Sequence, residues 1–238
     1  MGISESVMQQ VVLAVRDSNK DIIGYDGIPN DAHAKTFLGI AKTFGKNPCG
    51  FIYCEANHPR NTHKPADIVL CDTETGVISI EVKAYDITRI ERVVAGSKLF
   101  VKLGGEIKET APWEQARSCM FDIRNEFERR FSASKIPWFS YMTAFPNIAQ
   151  SEWKDKFGEA SADFGEIIFS DDLKNLSLLK SKVSARAIPP GYKKKVENPV
   201  DTDGIEKLKS VFGDSAVLYK LREAREVTEV DNRGRTLS

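Results

Sequence analysis

The chain has no net charge and no long apolar run. Lys and Arg together number 34, as do Asp and Glu, so the formal charge over 238 residues is zero. Without a global basic field, nucleic acid would have to be held by a local groove, a metal ion or a partner domain. No apolar stretch approaches the ~20 residues of a membrane span. The N-terminal residues lack the basic-then-apolar pattern of a signal peptide, so we expect a cytoplasmic protein with no membrane partner.

Cysteine is scarce as well, and we expect the cysteines to be small buried hydrophobes of a cytoplasmic protein. They are Cys49, Cys54, Cys71 and Cys119. The alternative is structural zinc, because the first two are followed by His58 and His63 at a spacing that imitates zinc ligands. The apolar residues 51–53 between those cysteines indicate a strand, however, and five extended residues span roughly 16 Å. Two thiolates so far apart cannot bind one ion.

The most informative stretch spans residues 65–86 and reads PADIVLCDTETGVISIEVKAYD. Two β-branched, apolar runs at residues 66–71 and 77–83 flank a polar loop at residues 72–76, which predicts a β-hairpin. The second run ends in Glu-Val-Lys, and Glu and Lys are rarely buried without partners. The hairpin therefore carries charge where the pattern otherwise indicates a buried strand.

The register of this hairpin pairs two carboxylates. A loop centred on Glu74 places Val69 opposite Ser79. The same register places Asp67 opposite Glu81, and directly opposed residues have Cβ atoms roughly 4.5–5.5 Å apart. Two carboxylates at that distance can share one cation.

A lysine joins the two carboxylates on the same face of the hairpin. Side chains alternate along a strand, so Glu81 and Lys83 point the same way. The opposite face is wholly apolar and consists of Ile68, Leu70, Ile78, Ile80 and Val82. A register slip of one residue would send every side chain to the wrong face.

This group of side chains suits a divalent metal and an attacking water. Two adjacent carboxylates repel each other and cannot both stay ionised without a counter-charge. Mg²⁺ takes one or two carboxylates and leaves its other positions to water and substrate phosphate. It lowers the pKa of a bound water, and Lys83 would orient that water or stabilise the transition state. The alternative is a surface hairpin with a stray lysine.

Two motifs resemble those of a known nuclease family. Thirteen residues separate Asp67 from Glu81-x-Lys83, which ends an apolar strand. This pattern resembles the signature of the PD-(D/E)XK nuclease superfamily. Within it, the chain most resembles the nuclease-related domain, NERD, over roughly Asn30 to Ala185. That family typically has a strand ending in Ile-Glu-Val-Lys and a later helix beginning with Pro-x-x-Gln. The matching residues are Ile80-Glu81-Val82-Lys83 and Pro112-Trp113-Glu114-Gln115.

The resemblance implies a restriction-endonuclease-like α/β core and a metal-dependent nuclease. Asp67, Glu81 and the backbone carbonyl of Val82 would bind Mg²⁺, for which Mn²⁺ would substitute. Lys83 would be the catalytic lysine, and Gln115 would support the site. Hydrolysis of DNA would leave a 5′-phosphate and a 3′-hydroxyl. Nothing in the residues themselves distinguishes DNA from RNA as the substrate.

One element departs from the family pattern. The family commonly has Gly-Glu near the start of an opening helix, with that glutamate approaching the metal. Apolar residues at helical spacing from Ala34 to Ala41 identify this helix, and the matching position is Asp31, preceded by Asn30. An aspartate is shorter by one methylene and would reach the metal through water. Asp31 suits the N-cap of the helix equally well, and both interpretations stay open.

The rest of the chain predicts an α/β sandwich, with a mixed central β-sheet flanked by helices. The clearest helix runs from about Pro112 to Phe131, with an apolar stripe at helical spacing. The other predicted elements are a strand and tight turn at 100–105, strands at 138–145 and 166–169, a short helix capped by Ser151 and stopped near Gly158, and a helix of about ten residues opened by Ser170.

We expect a nuclease domain at residues 1–185, followed by a linker and a helical C-terminal extension at residues 186–238. Pro-Pro-Gly and a lysine run predict the linker, and residues 204–227 predict two helical segments separated by Gly213-Asp214. Domains resembling NERD are often fused to a superfamily-1 helicase, so the extension would connect to a helicase. A packed helical cap is the alternative.

The sequence thus predicts a metal-dependent nuclease, and two other classes of function stay open. A nucleic-acid-binding module could keep the fold and no longer cleave, as the missing opening glutamate and the neutral charge would allow. A docking module for a helicase or another partner would depend on residues 186–238 rather than on the hairpin.

Overall fold

A computed structural model describes residues 2–56, 66–94, 98–131, 135–188, 194 and 196–212. The strands are β1 (Asp21–Ile23), β2 (Gly50–Ala56), β3 (Ala66–Asp72), β4 (Gly76–Val82), β5 (Ile90–Val94), β6 (Lys98–Leu103), β7 (Glu106–Thr110), β8 (Phe139–Phe145) and β9 (Ile167–Phe169). The helices are α1 (Glu5–Arg16), α2 (Asp31–Phe44), α3 (Pro112–Arg130), α4 (Gln150–Phe157), α5 (Ser170–Lys174), α6 (Leu176–Ala185) and α7 (Thr202–Val211).

Six of the strands form the mixed central sheet that the sequence predicts. Their order is β1-β2-β3-β4-β8-β9. The pairs around β3 are antiparallel, while β1 with β2, β4 with β8 and β8 with β9 are parallel. A separate antiparallel sheet consists of β5, β6 and β7, and it contains the predicted strand and turn at residues 100–105.

Helices cover both faces of the central sheet, as the pattern indicates. On one face, the even-numbered residues of β3 and β4 pack against α1, α2 and α6. On the other, the odd-numbered apolar residues pack against α3 and α7. The predicted apolar face is confirmed, since all its members are buried: Ile68, Leu70, Ile78, Ile80 and Val82. Burial of each such side chain stabilises the fold by about 1.5–3 kcal/mol.

The β3–β4 hairpin has the predicted register. Val69 pairs with Ser79, and the same register carried to the open end sets Asp67 opposite Glu81. Gly76 begins the returning strand with φ of 78°, and a Cβ there would lie 2.4 Å from a backbone oxygen just before β8. Glycine suits this position for two reasons: it adopts a positive φ without strain, and it has no Cβ to clash with the neighbouring backbone.

Helices α2, α3 and α4 lie where the pattern indicates, but two details of the predicted helices are wrong. The N-cap of α4 is Ala149 rather than Ser151, because the Glu152 carboxylate accepts the Ala149 N–H at 2.7 Å. The predicted helix from Ser170 is two helices, α5 and α6. They separate at Asn175, whose side chain caps α6 by accepting a backbone N–H at 3.2 Å.

The described part of the C-terminal extension packs onto the domain. Helix α7 begins after Asp201, whose side chain accepts the Gly204 N–H at 2.8 Å as the N-cap. Its buried residues join the cluster under α3, and the Phe212 ring lies 5.2 Å from the Tyr53 ring. Up to Phe212 the extension is therefore the packed cap of the alternative interpretation. The second predicted helical segment lies outside the described residues.

The cysteines fit the expectation only in part, since Cys54 and Cys71 are buried, Cys119 is half-buried and Cys49 is exposed. Strand β2 runs through the residues between Cys49 and Cys54, which separates the thiols of the zinc alternative. Its two histidines lie outside the described residues. None of the helices in the described ranges is both long and apolar enough to cross a membrane.

Candidate active site

The open end of the β3–β4 hairpin brings three predicted site residues together. The Lys83 ammonium donates to a Glu81 carboxylate oxygen at 2.5 Å. Asp67 faces Glu81 across the hairpin and accepts the Val82 N–H at 2.6 Å. The side chains of Asp67, Glu81 and Lys83 are only 12–16% exposed. The structure thus gives a shielded cluster of two carboxylates and an ammonium that still opens to solvent.

The backbone beyond β4 fixes the direction of Lys83. Its N–H donates to the Ala144 carbonyl of β8 at 2.9 Å, which prolongs the parallel pairing by one residue. The next carbonyl, of Ala84, accepts the Asn147 amide at 3.4 Å. Val82, the predicted carbonyl ligand, has its side chain buried on the opposite face and its N–H bonded to Asp67.

His33 on α2 also reaches this cluster, although it belongs to neither of the two sequence motifs. Its Nε2 lies 3.5 Å from Asp67 Oδ2, and its Nδ1 lies 3.0 Å from Asn30 Oδ1. Asn30 is the N-cap of α2, so this oxygen also accepts the N–H groups of Ala32 and His33. The signal that could have found His33 is its place in the first turn of the recognised opening helix.

The bonding of Asn30 decides what His33 presents to Asp67. The Asn30 side-chain oxygen accepts backbone N–H groups, so it is an acceptor for His33 Nδ1 as well. In a neutral imidazole, Nδ1 must then carry the hydrogen. Nε2 is then a lone-pair donor that faces a carboxylate oxygen. Two acceptors 3.5 Å apart make no hydrogen bond to each other, and a cation between them would be attracted by both.

Asp31, the substitute for the family's opening glutamate, points to a different partner. Its carboxylate accepts the Ser4 N–H at 2.9 Å and so ties the start of α1 to α2. It is not the N-cap, because that position belongs to Asn30. Within the described ranges, no hydrogen bond or ion pair joins Asp31 to Asp67, Glu81 or Lys83. Its role in the site stays a prediction.

Helix α3 runs antiparallel to β4 and so brings its first turns to the cluster. Its C-terminal half packs on the beginnings of β4 and β8, while the Trp113 ring lies 6.2 Å from the Phe145 ring at the end of β8. Midway, Cys119 hydrogen-bonds Ser79. Burial raises the pKa of the Cys119 thiol to about 11, and the nearby charges of Glu81 and Asp67 add to that rise.

This arrangement sets Gln115 beside Glu81. One helical turn, about 5.4 Å, separates Cys119 from Gln115, and two strand residues, about 6.6 Å, separate Ser79 from Glu81. The Gln115 Oε1 atom is buried and has no hydrogen-bond partner among the described residues. The predicted supporting residue therefore has an acceptor free to bind a ligand or water at this position.

Thr143 supplies a second unpartnered oxygen next to Glu81. The two residues are paired across β4 and β8, and Thr143 is fully buried. Its hydroxyl finds no partner in the part of the chain that the structure describes. Buried polar groups nearly always have a protein, water or ion partner. Two orphaned oxygens around one carboxylate therefore indicate that something polar belongs there.

The donor chemistry fits a hard divalent cation, but the acidic and histidine side chains are not grouped around one position. Oxygen donors come from Asp67, Glu81, Gln115 and Thr143, and His33 adds a nitrogen. Over the described ranges, no group of three or more His, Cys, Asp or Glu side chains is placed to hold a metal ion. The Lys83 ammonium occupies the position at Glu81 where a cation would neutralise the carboxylate.

A polar cavity of about 720 Å³ lies near the cluster, on the side of α2. Its lining includes three lysines, Lys35, Lys42 and Lys174, and two acids, Asp86 and Glu152. Asn147 links the cavity to the cluster, because its side chain accepts from Lys35 at 3.0 Å and donates to the Ala84 carbonyl. Lys35 is thus connected through Asn147 to the residue that follows Lys83.

Comparisons with known proteins add no relative to this picture. No family model, no curated protein and no solved structure matches the chain. The resemblance to NERD nucleases therefore depends on the hairpin and helix motifs alone, and what it implies for activity is a proposal.

Proposed function

We propose that the protein is a divalent-metal-dependent nuclease that hydrolyses phosphodiester bonds of DNA at the hairpin cluster. One observation carries the proposal: Asp67 and Glu81 oppose each other at an open strand end, with the Lys83 ammonium 2.5 Å from Glu81. Asp, Glu and Lys side chains are rarely withdrawn from solvent unless they are paired. Here all three remain in contact with solvent.

Different residues of the cluster would bind the metal ion and stabilise the negative charge that develops on the phosphate. Asp67, Glu81 and the Val82 carbonyl would hold Mg²⁺ or Mn²⁺, and His33 Nε2 is an additional donor. The bound ion supplies an activated water and neutralises charge on the phosphate. Lys83 exchanges its bond to Glu81 for a phosphate oxygen or water, which places positive charge where negative charge develops.

The surrounding residues position these groups and the substrate. Gln115 and Thr143 flank Glu81 and would hold its carboxylate or an ordered water in place. The lysines of the neighbouring cavity would contact phosphates, and such contacts give affinity without sequence preference. In-line attack of water on phosphorus would leave a 5′-phosphate and a 3′-hydroxyl, as the resemblance implies.

Cleavage of supercoiled plasmid and linear DNA with Mg²⁺, Mn²⁺ or EDTA tests the proposal, with an RNA of the same sequence alongside. Wild type should cut only with metal, and Lys83→Ala should not cut. Lys180→Ala is the matched control, because Lys180 pairs at the surface with Glu74 in the turn of the same hairpin. Cutting that persists in Lys83→Ala would assign the activity to another site or to a contaminant.

A second candidate is a nucleic-acid-binding module that no longer cleaves, alone or beside a helicase. The ion pair of Lys83 with Glu81 favours it, because the lysine fills the place of a cation. DNA binding without cutting, in every metal and by both wild type and Lys83→Ala, would support this candidate over the nuclease. A helicase partner would be tested by adding it to the same assay.

A further inference from the structure

A groove on the outer flank of α3 is not used by the proposed active site. It has a volume of about 690 Å³ and lies between α3 and the beginning of β8. Its lining includes three arginines, Arg117, Arg124 and Arg186, and none of its described lining residues is acidic. A chain with zero net charge therefore carries a local basic patch here.

The three arginines differ in how they are held. Arg186 donates to Glu166 at 3.0 Å, and Arg124 donates to Glu128 at 2.7 Å. These acids orient two guanidinium groups from behind the lining. The Arg117 side chain makes no ion pair or hydrogen bond within the described ranges, so its charge is available to an anion in the groove.

Apolar and aromatic surface is exposed in the same groove. The exposed side chains are Phe121, Ile136 and Ile188, at 37%, 47% and 37%. The Arg117 guanidinium lies 5.6 Å from the centre of the Phe121 ring, and that of Arg186 lies 5.8 Å from the Tyr141 ring. Rings beside guanidinium groups are the combination that proteins use to bind single strands, through stacked bases and neutralised phosphates.

The groove follows an uncovered edge of the central sheet. Strand β9 pairs with β8 only along Thr143–Phe145, so no described strand covers the preceding residues of β8 on that side. Tyr141 lines the groove two residues before Thr143, the residue that is paired with Glu81. One end of the groove is therefore close to the candidate active site.

We propose that this groove binds single-stranded nucleic acid, with arginines on the phosphates and Phe121 and Tyr141 against the bases. Charge complementarity identifies an anionic occupant, and the exposed Phe121 ring with the half-buried Tyr141 ring suits bases that are not stacked inside a duplex. The proposal rests on the proposed function in one respect, since a bound strand would lead towards the nuclease centre. Because the attraction is local and electrostatic, affinity falls steeply with salt.

Fluorescence anisotropy of a labelled oligothymidine in EDTA tests the groove without cleavage. Arg117→Ala and Phe121→Ala should each weaken binding about tenfold. The matched controls are Arg16→Ala and Ile107→Ala, which remove an arginine and an apolar side chain that are 72% and 63% exposed elsewhere. Both controls should bind as wild type does. Melting temperatures verify that all variants are folded.

Further probes identify what the groove recognises. With an abasic oligonucleotide, the effect of Phe121→Ala should vanish while that of Arg117→Ala remains. Oligouridine should bind like oligothymidine, since the two share the chemistry that the groove reads, and a blunt duplex should bind more weakly. A duplex that binds as tightly as the single strand, or an unchanged affinity in both groove variants, would overturn the proposal.

The two proposals fail in different ways. If wild type cuts DNA with metal but the groove variants keep their oligonucleotide affinity, the groove proposal is rejected and the nuclease proposal stands. If oligonucleotide binding depends on Arg117 and Phe121 but the protein cuts no substrate, the groove proposal stands and the nuclease proposal is rejected.

Discussion

Each end of the β3–β4 hairpin has an acid that forms an ion pair with a lysine, but in opposite circumstances; Lys83 follows β4 directly, whereas Lys20 precedes β1. At the turn end, Lys20 and Asp72 form an ion pair at 3.0 Å whose side chains are 0% and 1% exposed. At the open end, Glu81 and Lys83 form a pair at 2.5 Å that is 12–14% exposed. The same pair of residue types thus occurs in a buried setting at one end of the hairpin and in a solvent-accessible setting at the other.

The bonding around the two pairs explains the difference. Asp72 also accepts from Asn47 at 3.0 Å and from the Glu74 N–H at 2.8 Å, and Lys20 donates to the Cys49 carbonyl. Both charges of this pair are therefore satisfied, and the pair holds the hairpin turn against the loops that precede β1 and β2. The open pair has unpartnered oxygens beside it, at Gln115 and Thr143. A closed pair maintains structure, while an open one can exchange its partners with substrate.

The largest expected effect is on activity at the open end. Lys83→Ala should lower the cleavage rate by about 10²–10³, the usual loss of one transition-state charge stabiliser. The melting temperature should fall only slightly, because water reaches the pair, which is 12–14% exposed, and can solvate the Glu81 carboxylate that loses its cation. Plasmid cleavage and thermal unfolding measured on the same sample check both parts. A large loss of stability would make this pair structural, like the one at the turn.

At the turn end, the expected effect is on stability. Lys20→Met leaves the Asp72 carboxylate buried without its cation, which should cost about 3–5 kcal/mol of unfolding free energy. In a domain of this size, that lowers the melting temperature by roughly 6–20 °C. Urea unfolding measures the change. Cleavage per folded molecule should stay at the wild-type level, and a selective loss of cutting would break the distinction between the ends.

His33 should matter more to the open end than Asp31 does. His33→Ala removes the nitrogen that faces Asp67, so the metal concentration for half-maximal cutting should rise about 10–100-fold. Asp31→Ala removes the bond to Ser4 and should leave that concentration unchanged, with a small loss of stability. Metal titrations of both variants decide the matter. The reverse result would make Asp31 the opening-helix ligand that the resemblance implies.

An ion cluster on α3 serves as a reference away from both ends. Hydrogen bonds from Arg129 and then Arg130, opposed in part by burial, lower the pKa of Glu126 from 4.5 to about 2. Because the pKa of Glu126 is lower in the folded than in the unfolded state, the ionised carboxylate stabilises the fold. That contribution to the unfolding free energy is present above pH 4.5 and is lost as the pH falls towards 2. Glu126→Gln should cost about 1–2 kcal/mol at neutral pH, discounted because Arg129 is 57% exposed.

Unfolding of Glu126→Gln and wild type between pH 7 and pH 2 checks this prediction. The difference in unfolding free energy between the two proteins should shrink as the pH falls through that window. A difference that stays constant would mean that the Glu126 carboxylate contributes through packing alone.

The sequence predicted most of what positions the open end. Alternation and turn chemistry give the hairpin, its register and its apolar face, because a one-residue slip would expose the whole buried face. The apolar stripe gives α3 and hence the position of Gln115. These are features in which local pattern and tertiary packing agree.

Other features depended on contacts between distant residues and were not predictable. His33 reaches Asp67 because α2 begins beside the open strand ends; its place in the first turn of that helix is a hint, but the contact itself depends on how the helix packs. Asn175 splits the predicted helix after Ser170 because its side chain satisfies the start of α6. The pair of Lys20 with Asp72 joins residues 52 positions apart.

The most direct test of the difference between the two hairpin ends is plasmid cleavage with Mg²⁺ by wild type, Lys83→Ala and Lys20→Met, scaled to the folded fraction of each. We predict that Lys83→Ala is folded and inactive, while Lys20→Met is less stable and cuts normally once folded. Undiminished cutting by Lys83→Ala would contradict the assignment of the active site to the open end of the hairpin.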